Sequence, residues 1–213
     1  RPEQEMAVKK TFDYFTQFKK NKNTGTPRFL WNAKMRFGKT FAAYQLAKKI
    51  KWKRILILTY LPVVQNAWKD DLTQHLDFNE WQFFSSNDPD QKKINKNKPL
   101  VCFGSFQDYL GKNKTGNIKS KNEWVHEINW DCIILDEYHY GSWNDRTKET
   151  YDSEEKEEYS HLVKSGLKNF NQETVPLTTH HYLYLSGTPF RAIASGEFIE
   201  EQIFNWTYMD EQN

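Results

Sequence analysis

The sequence predicts an α/β domain: a mostly parallel central sheet with helices on both faces. Three observations predict it. Short apolar runs alternate with stretches of helical spacing over most of the 213 residues, and strands separated by helices build βαβ units with parallel neighbours. One run leads through Ala33-Lys34-Met35-Arg36-Phe37-Gly38-Lys39-Thr40 into a helical pattern, the strand–loop–helix context of a phosphate-gripping loop. The other candidate sites also fall where apolar runs end, and parallel sheets bind ligands at the carboxyl ends of their strands.

Residues 4–19 carry Ala7, Phe12, Tyr14 and Phe15 as the apolar anchors of a helix. Residues 28–32 read as the strand before the loop. Behind the loop, Ala43, Leu46, Ala47 and Ile50 recur at helical spacing. Residues 54–59 (RILILT) form a buried strand. Pro62, suited to a first helical turn, opens a helix whose apolar face is Val64, Ala67, Trp68, Leu72 and Leu76. Residues 81–84 and 100–106 are further strands, the second followed by a short helix at about 106–110. Residues 111–121 are a polar Lys/Gly loop. Residues 130–137 (WDCIILDE) are a strongly apolar strand ending in two carboxylates. From 141 to 180 the pattern weakens into a less regular insertion, in which 152–170 form an exposed helix with a solvated charged face. Residues 182–189 (YLYLSGTP) contain the last clear strand, and 198–206 resemble a terminal helix.

Composition supports a real core. The hydrophobic fraction is 38% and aromatics supply 16%, with 8 Trp, so the charged surface rather than disorder accounts for a low mean hydropathy of −0.88. No run approaches the roughly 20 apolar residues of a membrane helix, and the N-terminus has no signal-peptide pattern. The chain begins at Arg1 rather than Met, so a piece of a longer protein is expected. Cys102 and Cys132 each sit in an apolar run without a CxxC partner. They read as reduced core thiols of a cytoplasmic protein, not as a zinc site. Net charge is only +2, but residues 1–60 hold 15 Lys and Arg against 3 Asp and Glu. A basic first third suits a polyanion, although most of these lysines are expected to decorate helix surfaces.

Each part of the loop has a task. Backbone N–H groups and the N-terminus of the following helix face phosphate oxygens. Lys39 places a point charge at the β- and γ-phosphates, Thr40 offers a hydroxyl to Mg²⁺, and Gly38 lets the backbone approach closely. The middle of the loop has Met35, Arg36 and Phe37 where a flexible glycine is usual. That narrows its conformational freedom without removing N–H donors, provided the bulky side chains point outward. At the acidic strand end, Asp136 can hold Mg²⁺ and Glu137 can orient and deprotonate an attacking water. His139 completes the pattern Asp136-Glu137-Tyr138-His139.

With DEYH in place, the chain resembles the first RecA-like motor domain of superfamily 2 helicases and translocases of DExH type, a three-layer P-loop fold. The motifs occur in the family's order over nearly the whole length. Arg1-Pro2-Glu3-Gln4 resembles the adenine-reading segment, with Gln4 contacting the base. AKMRFGKT matches motif I, LTYLPVVQNAW resembles motif Ia, and FGSFQDY resembles the strand–loop that touches the nucleic-acid backbone. Ser186, Gly187 and Thr188, followed by Pro189, resemble motif III, which couples hydrolysis to domain movement. The wording of NAKMRFGKT, DEYHYG and SGTPFR is most similar to helicase-type subunits of type III and related restriction enzymes.

The resemblance implies a DNA-dependent ATPase using ATP and Mg²⁺. The nucleotide is held by Gln4, Ala33, Met35, Arg36, Phe37, Gly38, Lys39 and Thr40; Mg²⁺ is held by Thr40 and Asp136. Catalysis falls to Lys39, Asp136, Glu137 and His139. It also implies a nucleic-acid track at Tyr60, Pro62, Ser105 and Gln107, with phosphate contacts that position without reading sequence; for Ser105 the competing role is an ordinary helix N-cap. Partners would be DNA, in duplex form, a second RecA-like domain elsewhere in the parent protein, and a nuclease or modification subunit. Nothing after residue 190 resembles the second motor domain, and no nuclease motif is evident, so this lobe alone is expected to hydrolyse ATP weakly. An RNA helicase is the alternative within the class. A nucleotide-gated binding module that does not translocate is the alternative outside it, and a small-molecule kinase is disfavoured by DEYH and SGTP together.

Overall fold

The computed structural model describes residues 1–34, 36–59, 62–88, 93–110, 122–136, 175–187 and 198–206. Among them a seven-stranded sheet forms, in which every neighbouring pair is parallel. In chain order its strands are β1 (Arg28–Ala33), β2 (Arg54–Thr59), β3 (Gln82–Ser85), β4 (Leu100–Ser105), β6 (Cys132–Asp136), β8 (Tyr182–Ser186) and β9 (Ile203–Trp206). Their spatial order is β3-β4-β2-β6-β8-β1-β9. A separate two-stranded parallel ladder joins β5 (Asn129–Trp130) to β7 (Thr178–Thr179).

Alternation along each strand divides the core into two apolar clusters. Phe29, Trp31, Ile55, Ile57, Val101, Phe103, Ile134, Leu183 and Leu185 lie in the first. They pack with residues of α1 (Pro2–Lys20), α2 (Lys39–Ile50) and α3 (Gln65–Thr73). Their neighbours Leu30, Leu56, Leu58, Cys102, Ile133, Leu135, Tyr182 and Tyr184 lie in the second. That cluster takes in Phe106 and Tyr109 of α4 (Phe106–Leu110), Val125 of α5 (Glu123–Glu127), and Leu177 and Phe198. Side chains of period two on buried central strands thus require cover on both faces, which gives three layers. Both cysteines are buried free thiols; desolvation pushes Cys102 up to about 12 and raises Cys132 too.

Three expectations need correction. Residues 198–206 are not a helix: a short 3₁₀ turn at Glu200–Gln202 runs into β9. There Ile203 to Trp206 pair with Leu30 to Ala33 at the sheet edge, so a non-local ladder overrides local helical spacing. The helix expected from Pro62 starts as a 3₁₀ turn over Pro62–Val64. Trp68 and Leu72 are buried as expected, but Ala67 is exposed and Leu76 is 84% exposed, in a second 3₁₀ turn beyond the end of α3. The strand expected at 130–137 divides at Asp131, whose carboxylate leaves the ladder to accept the backbone N–H groups of Lys53 (2.6 Å) and Arg54 (2.9 Å). The 111–121 loop and the 152–170 helix lie outside the described residues.

Candidate functional site

β1 is buried through Ala33, and the chain leaves it in a tight turn in which the Phe37 N–H reaches the Lys34 carbonyl at 3.4 Å. Arg36 (φ 69°) and Gly38 (φ 80°) both adopt left-handed backbone. Gly38 then caps α2 without a side-chain hydrogen bond, so the helix opens with its N–H dipoles toward the loop. Arg36 is exposed, whereas Phe37 turns inward, contrary to the outward orientation expected of the bulky loop residues. The Phe37 ring centroid lies 5.9 Å from that of Phe204 and 6.4 Å from those of Trp31 and Trp206. An aromatic anchor therefore fixes the loop where a flexible glycine is usual, and the part of Phe37 that faces the loop is its backbone.

Helix α1 braces the same segment. Gln4 Nε2 donates to the carbonyls of Phe37 (2.7 Å) and Gly38 (3.3 Å), and Arg1 Nη1 donates to that of Arg36 (2.9 Å). Three successive carbonyls are thereby turned toward α1. A Cβ on Gly38 would stand 2.4 Å from Gln4 Nε2 and displace that amide, and the left-handed backbone at φ 80° is the conformation that favours glycine.

Three strand ends meet here. Lys39 Nζ donates to the Ala33 carbonyl at 2.9 Å. Ser186, which pairs in register with Asn32, is 1% exposed at the end of β8. A Cβ on Gly187 would lie 3.9 Å from Lys39 Nζ, so the Ser186-Gly187 step sits opposite the loop lysine. On the other side of β8, Asp136 ends β6, pairs in register with Thr59, and is 4% exposed.

Helix α3 supplies residues that the sequence pattern did not single out for the site. Trp68, expected only as an apolar anchor, donates its indole N–H to Asp136 Oδ2 at 2.6 Å. Asp71 accepts the Thr40 hydroxyl. Tyr44, one turn after Thr40, donates to the Trp68 carbonyl at 2.9 Å. Burial, with Asp71 and then Asp136 adding to it, holds the Tyr44 phenol well above its ordinary range, so it stays a neutral donor. Thr40, Asp71 and Asp136 are hard oxygen donors, the chemistry that suits Mg²⁺.

The remaining expectations divide. Ser105 forms a reciprocal cap: its hydroxyl donates to Asp108 Oδ2 (2.8 Å) and accepts the Asp108 N–H (3.1 Å). Gln107 is exposed on α4. Met35, Tyr60, Glu137, His139 and Thr188 lie outside the described residues, as does the Pro62 side chain.

Residues 1–191 match the family described as type III restriction enzyme, res subunit. A putative type II restriction enzyme and methyltransferase of Mycoplasma pneumoniae is 35% identical over the whole of this chain, which spans 32% of that relative's length. The Sulfolobus solfataricus SWI2/SNF2 ATPase core in complex with dsDNA shares the fold at a TM-score of 0.52 and 18% identity, over 89% of this chain and 32% of that one. The nuclease-deleted type ISP restriction–modification enzyme LlaGI, solved with a DNA substrate mimic, does so at 0.54 and 12%, over 98% of this chain and 20% of that one. No helix among the described residues is long and apolar enough to cross a membrane. The chain belongs to the type III restriction enzyme res-subunit family, and its parallel sheet with helices on both faces is a RecA-like fold shared with those solved structures.

Proposed function

We propose that this domain binds ATP with Mg²⁺ and hydrolyses it to drive movement along DNA, as the first motor lobe of a cytoplasmic restriction or phage-defence enzyme. One observation carries the reading: Lys39, Asp136 and the Ser186-Gly187 step are gathered at the ends of neighbouring strands beside an α2 N-terminus that has no side-chain cap. Loop N–H groups and Lys39 bind the phosphates, while Gln4 braces the loop and Glu137 orients and deprotonates water. Thr40 and Asp136 would hold Mg²⁺, which when bound would supply positive charge to the phosphoryl oxygens. His139 and the Ser186–Thr188 segment relay nucleotide state. DNA, in duplex form, passes the strand ends near Tyr60, Pro62 and Gln107, and a second motor domain and a nuclease or modification module belong to the parent protein. Without that second lobe, the domain turns over slowly.

The test is Glu137→Gln in the full-length protein. A motor whose Glu137 activates water should bind ATP at near wild-type affinity and lose turnover by about a hundredfold or more. Undiminished turnover in that variant contradicts the assignment of Glu137, and a protein that responds to ATP without hydrolysing it is a nucleotide-gated binding module instead.

A further inference from the structure

Two hydrogen bonds join α2 to α3, and a third joins α3 to the end of β6. Thr40 donates to Asp71, Tyr44 donates to the Trp68 carbonyl, and Trp68 donates to Asp136. Thr40 and Tyr44 are four residues apart on α2; Trp68 and Asp71 are three apart on α3. Those spacings place each pair on one helix face. The two proposed metal-holding side chains, far apart in sequence and carried by different elements, are thus both tied to one short helix.

We propose that Trp68 and Asp71 are positioning residues for the Mg²⁺-holding pair Asp136 and Thr40, a role that rests on the nucleotide reading given above. A hydroxyl that gives its proton to a carboxylate turns its lone pairs away from that carboxylate. Asp71 in this way selects the one rotation of the Thr40 hydroxyl that presents oxygen to a cation. At Asp136, an indole N–H on Oδ2 at 2.6 Å is a charge-assisted bond that fixes the rotation of the carboxylate. Because Trp68 is fully buried, its own rotation is set by packing, including an edge-on contact with Tyr44 at 5.4 Å between ring centroids. Outer partners of this kind raise metal affinity by about 10- to 100-fold through orientation and ligand basicity.

The experiment measures binding of a fluorescent ADP analogue by the full-length protein, first in excess EDTA and then across a Mg²⁺ titration. Trp68→Phe removes the N–H and keeps a ring. Asp71→Ala removes the acceptor, and Asp71→Asn restores an acceptor of the same shape without the charge. Melting temperatures are recorded in parallel. In Trp68→Phe and Asp71→Ala, metal-free affinity should stay within about twofold of wild type while the Mg²⁺ midpoint rises about tenfold; Asp71→Asn should recover part of that rise. Unchanged Mg²⁺ midpoints overturn the proposal, as does a parallel loss of metal-free and Mg²⁺-dependent binding, the mark of a purely structural role. A wild-type protein that binds no nucleotide would overturn the site assignment and this inference together; a wild type with normal Mg²⁺ dependence and indifferent variants overturns this inference alone.

Discussion

The carboxyl ends of β1 and β4 solve the same problem in opposite ways. Both strands run into a helix whose first N–H groups need acceptors. After β1 the cap is Gly38, with no side chain, and the turn is braced from outside the loop by Arg1 and by Gln4 of α1. After β4 the cap is Ser105, and Asp108 answers it: the Asp108 carboxylate accepts the Ser105 N–H (3.1 Å), the Ser105 hydroxyl (2.8 Å) and the Ser86 hydroxyl (2.9 Å). One helix start is open to an incoming anion and the other is closed by its own carboxylate. The same position in a parallel sheet thus leaves a helix start without a side-chain cap or closes it as a structural corner, according to whether the cap residue has a side chain.

Four perturbations sharpen that contrast. The largest effect belongs to the open end: Lys39→Ala should lower ATP hydrolysis by about a hundredfold or more with little change in melting temperature, and equal losses in both would make Lys39 a structural residue. At the closed end the effects should reverse. A Cβ on Gly104 would meet the buried Tyr109 ring at 2.2, 2.8 and 3.0 Å, so Gly104→Ala should cost about 1–3 kcal/mol of stability and leave nucleotide affinity unchanged; urea unfolding and analogue binding on the same sample read both. Ser105→Ala should cost about 1 kcal/mol, the usual value of a lost cap. A fall in DNA stimulation without any loss of stability would instead make Ser105 a phosphate contact.

The smallest effect lies at the opposite, amino ends of the central strands β6 and β8. His181 packs on Phe15 (4.6 Å between ring centroids) and Trp52 (5.3 Å), and its Nδ1–H donates to the Asp131 carbonyl at 2.8 Å. Burial lowers its pKa from the ordinary 6.5. The unfolded chain therefore takes up the proton first, and the contribution of His181 is complete above about pH 6.5 and declines as pH falls below it. Melting temperatures between pH 7.5 and 5.5 should fall less steeply in His181→Gln than in wild type; identical slopes would show that His181 is not responsible.

Most of the sheet was legible because its strands are short continuous apolar runs, the mark of parallel strands buried on both faces. The loop and the acidic strand end were legible because their chemistry demands particular residues at fixed spacing. What was not legible depends on contacts far apart in sequence. Nothing near Ile203 to Trp206 announces an edge strand; only the register with β1 makes one. Phe37 could be read as an outward loop residue because Phe204 and Trp206, which receive it, lie more than 160 residues away. Trp68 looked like an ordinary apolar anchor, since its indole N–H finds Asp136 across 68 residues. Asp71 has no distinguishing mark in the sequence, since a lone carboxylate on a helix usually faces solvent.

The central claim is that the open strand end binds a nucleotide whose hydrolysis serves movement on DNA. It is tested most directly by ATP hydrolysis of the full-length protein with duplex DNA, single-stranded DNA, RNA or no nucleic acid, beside Lys39→Ala. The account predicts strong stimulation by DNA, greatest with duplex, that disappears in Lys39→Ala. Stimulation by RNA alone would replace the DNA motor with an RNA helicase, and ATP binding that no nucleic acid converts into turnover would contradict a motor altogether.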